Sequence, residues 1–198
     1  MVWAMATVNT NWIVTRIDGK VASVCADYRH LALIVEKVAS MPLGSVSSIN
    51  VETVCTKQLA TLSDGIRWED LLLWGTPFQK GVWKQLYSLT HHENGTAVLP
   101  DEGIRLLSYS ELAQRCGNPK GVRAVAHAVA VNPIAYIIPC HLIVPKESID
   151  KILRIRSVAQ GTIFKGTDLY LLDSIDVGEY EYGDALKRRL IEMQLYSR

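Results

Sequence analysis

Alternation of apolar and polar residues marks two strands near the start of the chain. Residues 12–26 (WIVTRIDGKVASVCA) carry this alternation on both sides of Asp18-Gly19, a dipeptide typical of two-residue hairpin turns. The apolar run at 30–35 predicts a third strand, and the apolar spacing over 51–62 favours a helix that ends near Asp64-Gly65. The first third of the chain therefore indicates an α/β scaffold, and it contains no recognisable set of catalytic side chains.

Helical periodicity dominates the pattern after residue 75. Residues 76–79 (TPFQ) form a capping box with proline at the first helical position, and apolar residues follow at helical spacing. Residues 108–111 (SYSE) repeat the capping box before a second helix. The turn at 117–119 (GNP) separates that helix from a third over about 120–130. Two short helices joined by a glycine-containing turn predict a helix-turn-helix.

The two patterns meet in an apolar stretch at 68–75, which we interpret as a packed passage between domains. We therefore predict an α/β protein of two domains. An N-terminal α/β sheet domain is assigned to residues 1–70, and a mostly helical C-terminal domain with the helix-turn-helix is assigned to 71–198. A chain of 198 residues is long enough for this arrangement.

Composition and charge exclude some classes of function. A hydrophobic content of 48% is ordinary for a globular protein, and no uninterrupted apolar run approaches about 18 residues, so no membrane partner is predicted. The first dozen residues lack a basic start followed by an apolar stretch, so no secretory signal is expected. The net charge is +1, which means that nucleic-acid binding would depend on a local patch.

The cysteines are scattered and form no CxxC pair, which argues against a disulfide framework and for a reducing, intracellular compartment in the cytoplasm, nucleoid or nucleus. Cys25 and His30 supply two ligands that zinc accepts, whereas a closed structural site usually needs four. We favour a partly buried cysteine and a surface histidine at these positions. No metal and no cofactor are predicted.

The strongest candidate for chemistry is the tetrapeptide Ile138-Pro139-Cys140-His141. It follows an apolar run, so the thiol is expected in a stiff, mostly apolar turn beside an imidazole. A thiol in that position can be activated as a nucleophile. A buried and inert cysteine is the ordinary alternative, and the tetrapeptide alone does not decide between them.

The last helix of the predicted helix-turn-helix has few long side chains, apart from Arg123 near its start and His127 one turn later. A major-groove reader normally offers arginine, asparagine or glutamine to the base edges. This smooth surface would fit a groove without reading sequence, with Arg123 reaching the base stack or a phosphate. Packing of the small residues against a neighbouring helix is the open alternative. These small residues are Ala124, Ala126, Ala128 and Ala130.

The motifs occur in the order found in the alkylguanine-DNA alkyltransferases, or methylated-DNA–protein-cysteine methyltransferases, and the chain resembles that family. The matching segments are 75–83 (GTPFQKGVW), 108–113 (SYSELA), 117–125 (GNPKGVRAV) and 132–141 (NPIAYIIPCH). The resemblance implies a ribonuclease H-like fold for the N-terminal sheet domain. It also implies DNA repair by irreversible transfer of an alkyl group from the six-position oxygen of guanine, or the four-position oxygen of thymine, to a cysteine.

The resemblance further implies a role for individual residues. Cys140 would accept the alkyl group, His141 would act through a water as the base for the thiol proton, and Asn132 would join the surrounding hydrogen-bond network. Tyr109 would press on the phosphate of the target nucleotide, and Arg123 would fill the gap that the flipped base leaves. The expected partner is double-stranded DNA that contains alkylated guanine, bound by a monomer.

Around these residues, the resemblance implies a DNA contact and a base pocket. The alanine-rich helix would lie in the minor groove through Ala124, Ala126 and His127. The guanine pocket would be lined by Pro139, Gly178 and Tyr180. A C-terminal amphipathic helix follows, and the inner face predicted for it consists of Ala185, Leu186, Leu190 and Met193.

Three features depart from the family pattern. Leu142 stands where the family usually has arginine, which bears on local rigidity. Gln194 stands where a glutamate usually orients the histidine, so a weaker base and slower transfer are expected. The segment 145–175 is longer than usual, and its part 148–158 predicts a helix that extends the DNA contact, covers the pocket or is only a solvated surface. Its basic residues are Lys151, Arg154 and Arg156.

Other classes of function remain as alternatives. A non-catalytic binder of alkylated DNA would share the fold, but it would not need Cys140. A helix-turn-helix regulator would need side chains that read sequence, and a cysteine hydrolase would need an oxyanion hole, for which no motif is evident.

Overall fold

The computed structural model describes residues 10–42, 44–98, 105–161 and 172–196; within them, the side chains of 29, 30, 156–161 and 196 are not described. The N-terminal elements are β1 (Asn11–Ile17), β2 (Lys20–Cys25), α1 (Tyr28–Ala39), β3 (Ile49–Cys55) and α2 (Thr56–Ser63). They are followed by α3 (Pro77–Tyr87), α4 (Tyr109–Arg115), α5 (Val122–Ala130), α6 (Lys146–Gly161) and α7 (Asp184–Tyr196). The predicted α/β class is confirmed.

The strands form one antiparallel sheet in the order β2-β1-β3. The predicted hairpin is confirmed, because Asp18 and Gly19 turn between β1 and β2 with φ of 48° and 81°. Positive φ at both central positions is what the tight hairpin turn requires. The Asp18 carboxylate also accepts hydrogen bonds from the backbone of Ser47 and Ser48, which fixes the start of β3 beside the turn.

The strand predicted at 30–35 is wrong, because these residues lie in helix α1. Ile34 is buried and Val38 packs against the same small cluster, so the buried positions repeat at helical spacing. Leu33 and Val35 point to solvent. A short apolar run does not by itself distinguish a strand from one helical face.

The helix predicted over 51–62 is correct only in its second half. Strand β3 pairs with β1 over its whole length, and Val54 lies opposite Trp12 in this pairing. Helix α2 begins only at Thr56 and ends at Ser63, next to the predicted stop at Asp64-Gly65. Backbone hydrogen bonds to β1 override the local helical spacing over the first half of the segment.

The capping boxes predicted before α3 and α4 are confirmed. The Thr76 hydroxyl accepts a hydrogen bond from Gln79 N, and the Ser108 hydroxyl accepts one from Glu111 N. The side chains of Gln79 and Glu111 in turn accept hydrogen bonds from the backbone N of Thr76 and Ser108. Helix α5 begins at Val122, two residues later than predicted.

Two groups of contacts place the sheet against the helices. On the edge of β2, Val24 accepts a hydrogen bond from Ala135 N at 3.0 Å and donates one to Pro133 O at 3.1 Å. The predicted packing of residues 68–75 is confirmed, since Leu71 is buried and Leu72 N donates a hydrogen bond to Val21 O of β2. One cluster of buried side chains includes residues from β1 through α7. The sheet therefore holds the chain segment that leads to Cys140.

Helices α6 and α7 differ in how well the sequence predicts them. Helix α6 contains the predicted 148–158 helix, with Lys151 and Arg154 exposed, while the side chain of Arg156 lies outside the described residues. The inner face predicted for α7 is partly wrong, because Ala185 is exposed. The inward positions follow 187, 190, 191, 194 and 195, a helical stripe set by contact with the core. Among the described residues, no helix is long and apolar enough to cross a membrane.

Candidate active site

Cys140 begins a short 3-10 helix (Cys140–Leu142) directly after a tight turn at Pro139. Pro139 has φ −82° and ψ 66°, and Cys140 N donates a hydrogen bond to Ile138 O at 2.8 Å. This is the geometry of an inverse γ-turn, and the proline ring fixes its φ. Leu142 is fully buried in the core at the end of the short helix. The predicted stiff, apolar turn is confirmed.

A second tight turn lies four residues before the thiol, at Tyr136. Its φ is +71°, and Ile137 N donates to Ala135 O at 2.9 Å across it. A residue other than glycine in this backbone conformation is strained by about 1–3 kcal/mol, and such strain persists only where the surrounding structure imposes it. The Tyr136 ring packs between Trp12 and His141, with ring centroids 6.3 Å and 6.1 Å away. The N-terminal sheet therefore helps to hold the strained turn.

Asn132 joins the two ends of this loop. Its Oδ1 accepts from Ile134 N at 3.1 Å, while its Nδ2 donates to Ile138 O at 2.8 Å and to Cys140 Sγ at 3.3 Å. The amide oxygen and amide nitrogen thus have distinct partners. A donor directed at sulfur favours the thiolate over the thiol. The structure places Asn132 where a network around the cysteine requires it.

The imidazole of His141 is fully buried and faces helix α7. Its Nε2 lies 2.7 Å from Gln194 Oε1, and since an amide oxygen only accepts, Nε2 carries the proton. Nδ1 is buried and has no hydrogen-bond partner among the described residues. Burial lowers the pKa of His141 to about 4, although the hydrogen bond to Gln194 opposes this. The side chain is therefore a neutral base with an unprotonated Nδ1.

The surroundings of Cys140 favour its protonated form, the thiol. Burial raises the pKa of Cys140, opposed by the hydrogen bond from Asn132 and by the charge of Lys187. The residue is only 8% exposed. A nucleophile at this position must therefore give up its proton to a neighbouring base when it reacts.

The predicted substrate-pocket residues on 178–180 lie against the same loop. Gly178 has φ +74°, and a Cβ there would lie 3.3 Å from Pro145 Cδ, so the position requires glycine. The Tyr180 hydroxyl is buried and has no hydrogen-bond partner of good geometry in the described chain. Burial raises the pKa of Tyr180 well above its usual value, and the charge of Cys140 raises it further. The Tyr180 and Tyr182 rings meet edge to face at 5.5 Å.

Lys187 is a buried residue next to the 178–180 segment, and the sequence reasoning did not place it on the inner face of α7. It is 1% exposed, and Nζ donates to Glu179 O at 3.3 Å. Burial lowers the pKa of Lys187 to about 8, opposed by the charge of Cys140. Its spacing of three, four and seven residues from Leu190, Ile191 and Gln194 is the signal that could have placed it on the inner face of α7.

The residues predicted to contact DNA lie on α4 and α5. Tyr109 is the first residue of α4 and is half-buried, and it packs against the core cluster that includes Cys140. Burial raises the pKa of Tyr109, and the charge of Cys140 raises it further. On α5, Arg123, Ala124 and His127 are exposed, and Ala126 is half-buried.

The small residues of α5 divide between two sides of the helix. Ala128 is fully buried, and its carbonyl accepts a hydrogen bond from Trp83 Nε1 at 2.7 Å. Ala124 and Ala130 are exposed. Packing against a neighbouring helix therefore explains why residue 128 is small, whereas it does not explain the small residues at 124 and 130.

Cys25 and His91 are buried among other protein groups. Cys25 is fully buried, and not partly buried as predicted, because it lies on the inner side of β2 with Sγ 3.8 Å from Ile13 O. The side chain of His30 lies outside the described residues. His91 is buried between the hydroxyls of Ser63 and Thr90 at 3.1 Å and 3.0 Å. Within the described ranges, no three His, Cys, Asp or Glu side chains gather as a metal site would require.

The fold and this geometry define an α/β protein with a buried cysteine in a stiff turn, in which an amide contacts the sulfur and an imidazole with a lowered pKa follows it in sequence. Residues 103–151, which include α4, α5 and Cys140, match the family model described as "6-O-methylguanine DNA methyltransferase, DNA binding domain". The resemblance to the alkylguanine-DNA alkyltransferases is therefore confirmed over this segment.

Curated relatives bear names of the same family. A protein of Acanthamoeba polyphaga mimivirus, named a probable methylated-DNA–protein-cysteine methyltransferase, is 47% identical over 79 residues, which are 40% of this chain and 45% of that protein. The methylated-DNA–protein-cysteine methyltransferase of Haemophilus influenzae is 44% identical over 73 residues, 37% of this chain and 34% of that protein. That of Saccharomyces cerevisiae is 33% identical over 98 residues, 49% of this chain and 45% of that protein. The matches thus span less than half the length of each relative.

Similarity at the level of the fold extends further along the chain. The crystal structure of O6-methylguanine-DNA methyltransferase from Pyrococcus kodakaraensis strain KOD1 superposes with a TM-score of 0.52 at 20% identity. The superposition covers 93% of this chain and 91% of that one. At this identity, the comparison supports the fold alone.

Proposed function

We propose that this protein repairs DNA by transferring a methyl or larger alkyl group from the six-position oxygen of guanine, or from the four-position oxygen of thymine, to Cys140. The observation that carries this proposal is the contact of Asn132 Nδ2 with Cys140 Sγ, inside a segment that matches the methyltransferase family model. The protein would act as a methylated-DNA–protein-cysteine methyltransferase with one turnover per molecule.

In the proposed reaction, the thiol of Cys140 loses its proton to His141 Nδ1 through a water, and the sulfur attacks the alkyl carbon. A carbon–sulfur bond forms as the carbon–oxygen bond breaks, and the bonding electron pair goes to the guanine oxygen. The proton held by His141 returns to the departing base, so that unmodified guanine leaves. The product is a thioether, which is why the reaction ends after one turnover.

Access to the damaged oxygen requires the base to leave the duplex, at a cost of a few kcal/mol. In our proposal, α4, the turn at 116–121 and α5 act as a helix-turn-helix, with Ala124, Ala126 and His127 along the minor groove. Arg123 would occupy the space of the flipped base, and Tyr109 would contact the target phosphate. The exposure of Arg123 and His127 supports this arrangement, and so does the packing of Tyr109 against the core cluster that includes Cys140.

The base pocket and the domain division belong to the same proposal. Pro139, Gly178 and Tyr180 would line the pocket for the flipped guanine. Residues 1–70 would form the ribonuclease H-like scaffold domain, and 71–198 would form the domain that binds DNA and accepts the alkyl group. We further infer a monomer at an intracellular site, since a protein that reacts with DNA must reach it.

Intact mass spectrometry after incubation with duplex DNA that carries methylguanine tests this function. The expected result is a gain of one methyl group, retained after denaturation and lost in Cys140→Ala. Cys55→Ala is the matched control, because Cys55 is a free thiol at the end of β3 and its replacement should leave the adduct unchanged. Repeated turnover, or an adduct that survives in Cys140→Ala, would contradict the proposal.

The second candidate is a non-catalytic protein that binds and marks alkylated DNA. The raised pKa of the Cys140 thiol and the neutral Gln194 beside His141 favour this alternative. It predicts tight, lesion-specific binding without any mass gain. The same experiment, combined with a binding measurement on duplexes with and without methylguanine, separates the two functions.

A further inference from the structure

The ammonium of Lys187 lies where an apolar side chain would be expected. It is 1% exposed on the inner face of α7, next to the fully buried Leu190 and Ile191. Removal of a charged group from water costs several kcal/mol unless a partner compensates. Lys187 Nζ makes one hydrogen bond, to Glu179 O at 3.3 Å, and within the described part of the chain no carboxylate forms an ion pair with it. Packing alone does not account for a charge at this position.

The Lys187 charge affects the pKa values of two residues of the candidate active site, Cys140 and His141. The charges of Cys140 and Asp176 oppose the effect of burial on the pKa of Lys187. In turn, the ammonium lowers the pKa of the Cys140 thiol and lowers that of His141. The geometry agrees, since Lys187 lies two helical turns before Gln194 on the inner face of α7, and Gln194 contacts His141 at 2.7 Å. This face of α7 therefore packs against the short helix that begins at Cys140.

Among the described residues, the other groups around the thiol supply no positive charge, so a thiolate there would depend on the Lys187 ammonium. His141 is neutral, and its partner Gln194 is a neutral amide, so neither places a charge opposite a thiolate. The Asn132 amide supplies a dipole to the sulfur but no charge. The hydrogen bond to Glu179 O also places the ammonium beneath the segment that contains Gly178, whose added Cβ would lie 3.7 Å from Nζ.

We propose that Lys187 is a positioning residue of this site, whose buried ammonium supplies the positive charge that stabilises the Cys140 thiolate. This inference rests on the proposed function and deepens it. The proton still leaves through His141, and Lys187 keeps its own proton throughout. A fixed charge in a water-poor site acts more strongly on a developing negative charge than it would in water.

The test compares Lys187→Met and Lys187→Gln with the unmodified protein. Methionine has a similar length and no charge, whereas glutamine keeps a donor for Glu179 O and has no charge. Lys57→Met is the matched control, because Lys57 is exposed on α2. The measurement is the pKa of the Cys140 thiol, followed by thiolate absorbance as the pH rises, with the signal of Cys140→Ala subtracted. The rate at which iodoacetamide alkylates Cys140 at pH 7 provides a second measurement.

Both Lys187 variants are expected to show a higher thiol pKa and an alkylation rate lower by about tenfold, the change that one pKa unit causes in the thiolate fraction. Their melting temperatures are expected to stay equal or rise, because an apolar or neutral group replaces a buried charge. A purely structural lysine predicts the reverse, a lower melting temperature with an unchanged thiol pKa. An unchanged thiol pKa in Lys187→Gln overturns the inference, and this variant carries the comparison if Lys187→Met does not fold.

These measurements need no DNA, so their outcome is independent of the proposed function. If methyl transfer occurs but the thiol pKa does not respond to Lys187, only the role of Lys187 is wrong. If the thiol pKa responds but methyl transfer never occurs, the charge effect stands and the repair function is wrong.

Discussion

The amide oxygen of Gln194 lies 2.7 Å from Nε2 of His141, so a neutral acceptor orients the imidazole of the candidate site. A neutral partner cannot stabilise an imidazolium by charge, and the pKa of His141 is accordingly lowered to about 4 by burial. In the proposed reaction, this pairing would limit how readily His141 accepts the thiol proton.

Gln194→Glu is therefore expected to speed methyl transfer. A carboxylate at this position would raise the pKa of His141 towards the range of an effective base, and a positioned base contributes about 10²–10⁴ in rate. We expect an increase of about tenfold in the single-turnover rate, measured by rapid quench with methylguanine duplex.

Glu192→Gln is the matched control for this change. Glu192 is on the same helix, but it accepts hydrogen bonds from Arg189 and from Leu172 N, away from His141. Its replacement should leave the transfer rate unchanged. A Gln194→Glu rate equal to that of the unmodified protein would show that the neutral amide is not the limit on the base.

Arg123→Ala should separate base flipping from chemistry. The exposed guanidinium starts α5 and does not belong to the cysteine loop. We expect transfer from duplex DNA to fall about tenfold or more, since stabilisation of the flipped state by a few kcal/mol is lost. Transfer from the free alkylguanine base should not change, and Lys57→Ala, at an exposed cation on α2, should affect neither. Equal loss with both substrates would contradict a role in flipping.

The sequence predicts the local elements that depend on short motifs. The Asp18-Gly19 hairpin and the Thr76 and Ser108 caps are each encoded within a few residues, and all three are confirmed. The strand at 49–55 and helix α1 depend on pairing with β1 and on packing beneath the sheet, which local spacing does not reveal.

The candidate site shows the same division. Cys140, His141 and Asn132 lie within ten residues and form one loop, so their contacts follow from a single motif. Lys187 is on α7, which is distant from this loop in the sequence, and a lysine on an amphipathic helix is ordinarily assigned to the solvent side. Its burial depends on how α7 docks on the core, which no single segment specifies.

Acid should destabilise the fold through His141. Burial depresses the folded-state pKa to about 4, below the usual 6.5, so the neutral form contributes stability that is complete above about pH 6.5. As the pH falls from 6.5 to 4, the unfolded chain takes up a proton that the folded protein resists, and up to about 3 kcal/mol is lost. Urea unfolding at several pH values should show this loss, reduced in His141→Gln.

His127→Gln is the control for the acid experiment, because His127 is exposed on α5 and its replacement should leave the pH dependence of unfolding unchanged. Buried His91 is retained in every variant, so its own lowered pKa, caused by burial, cancels in the comparison. An identical pH dependence in His141→Gln and the unmodified protein would mean that His141 is not buried as a neutral base.

Trp12 connects the N-terminal sheet to both sides of the site. Its ring packs against Tyr136 at 6.3 Å and Tyr182 at 6.0 Å, and Nε1 donates to Thr56 Oγ1 at 3.0 Å. Since Tyr136 holds a strained φ only while its surroundings impose it, Trp12→Leu should relax the turn before Cys140. We expect about 2–3 kcal/mol lower stability and slower transfer per folded molecule.

Trp68→Leu provides the matched comparison for Trp12→Leu. The Trp68 ring packs against Tyr87 at 5.6 Å, and neither residue belongs to the cysteine loop. Its loss should lower the melting temperature without changing the transfer rate per folded molecule, measured at a temperature where both variants remain folded. If Trp12→Leu likewise changes only the melting temperature, the sheet stabilises the fold without helping to set the geometry of the Cys140 turn.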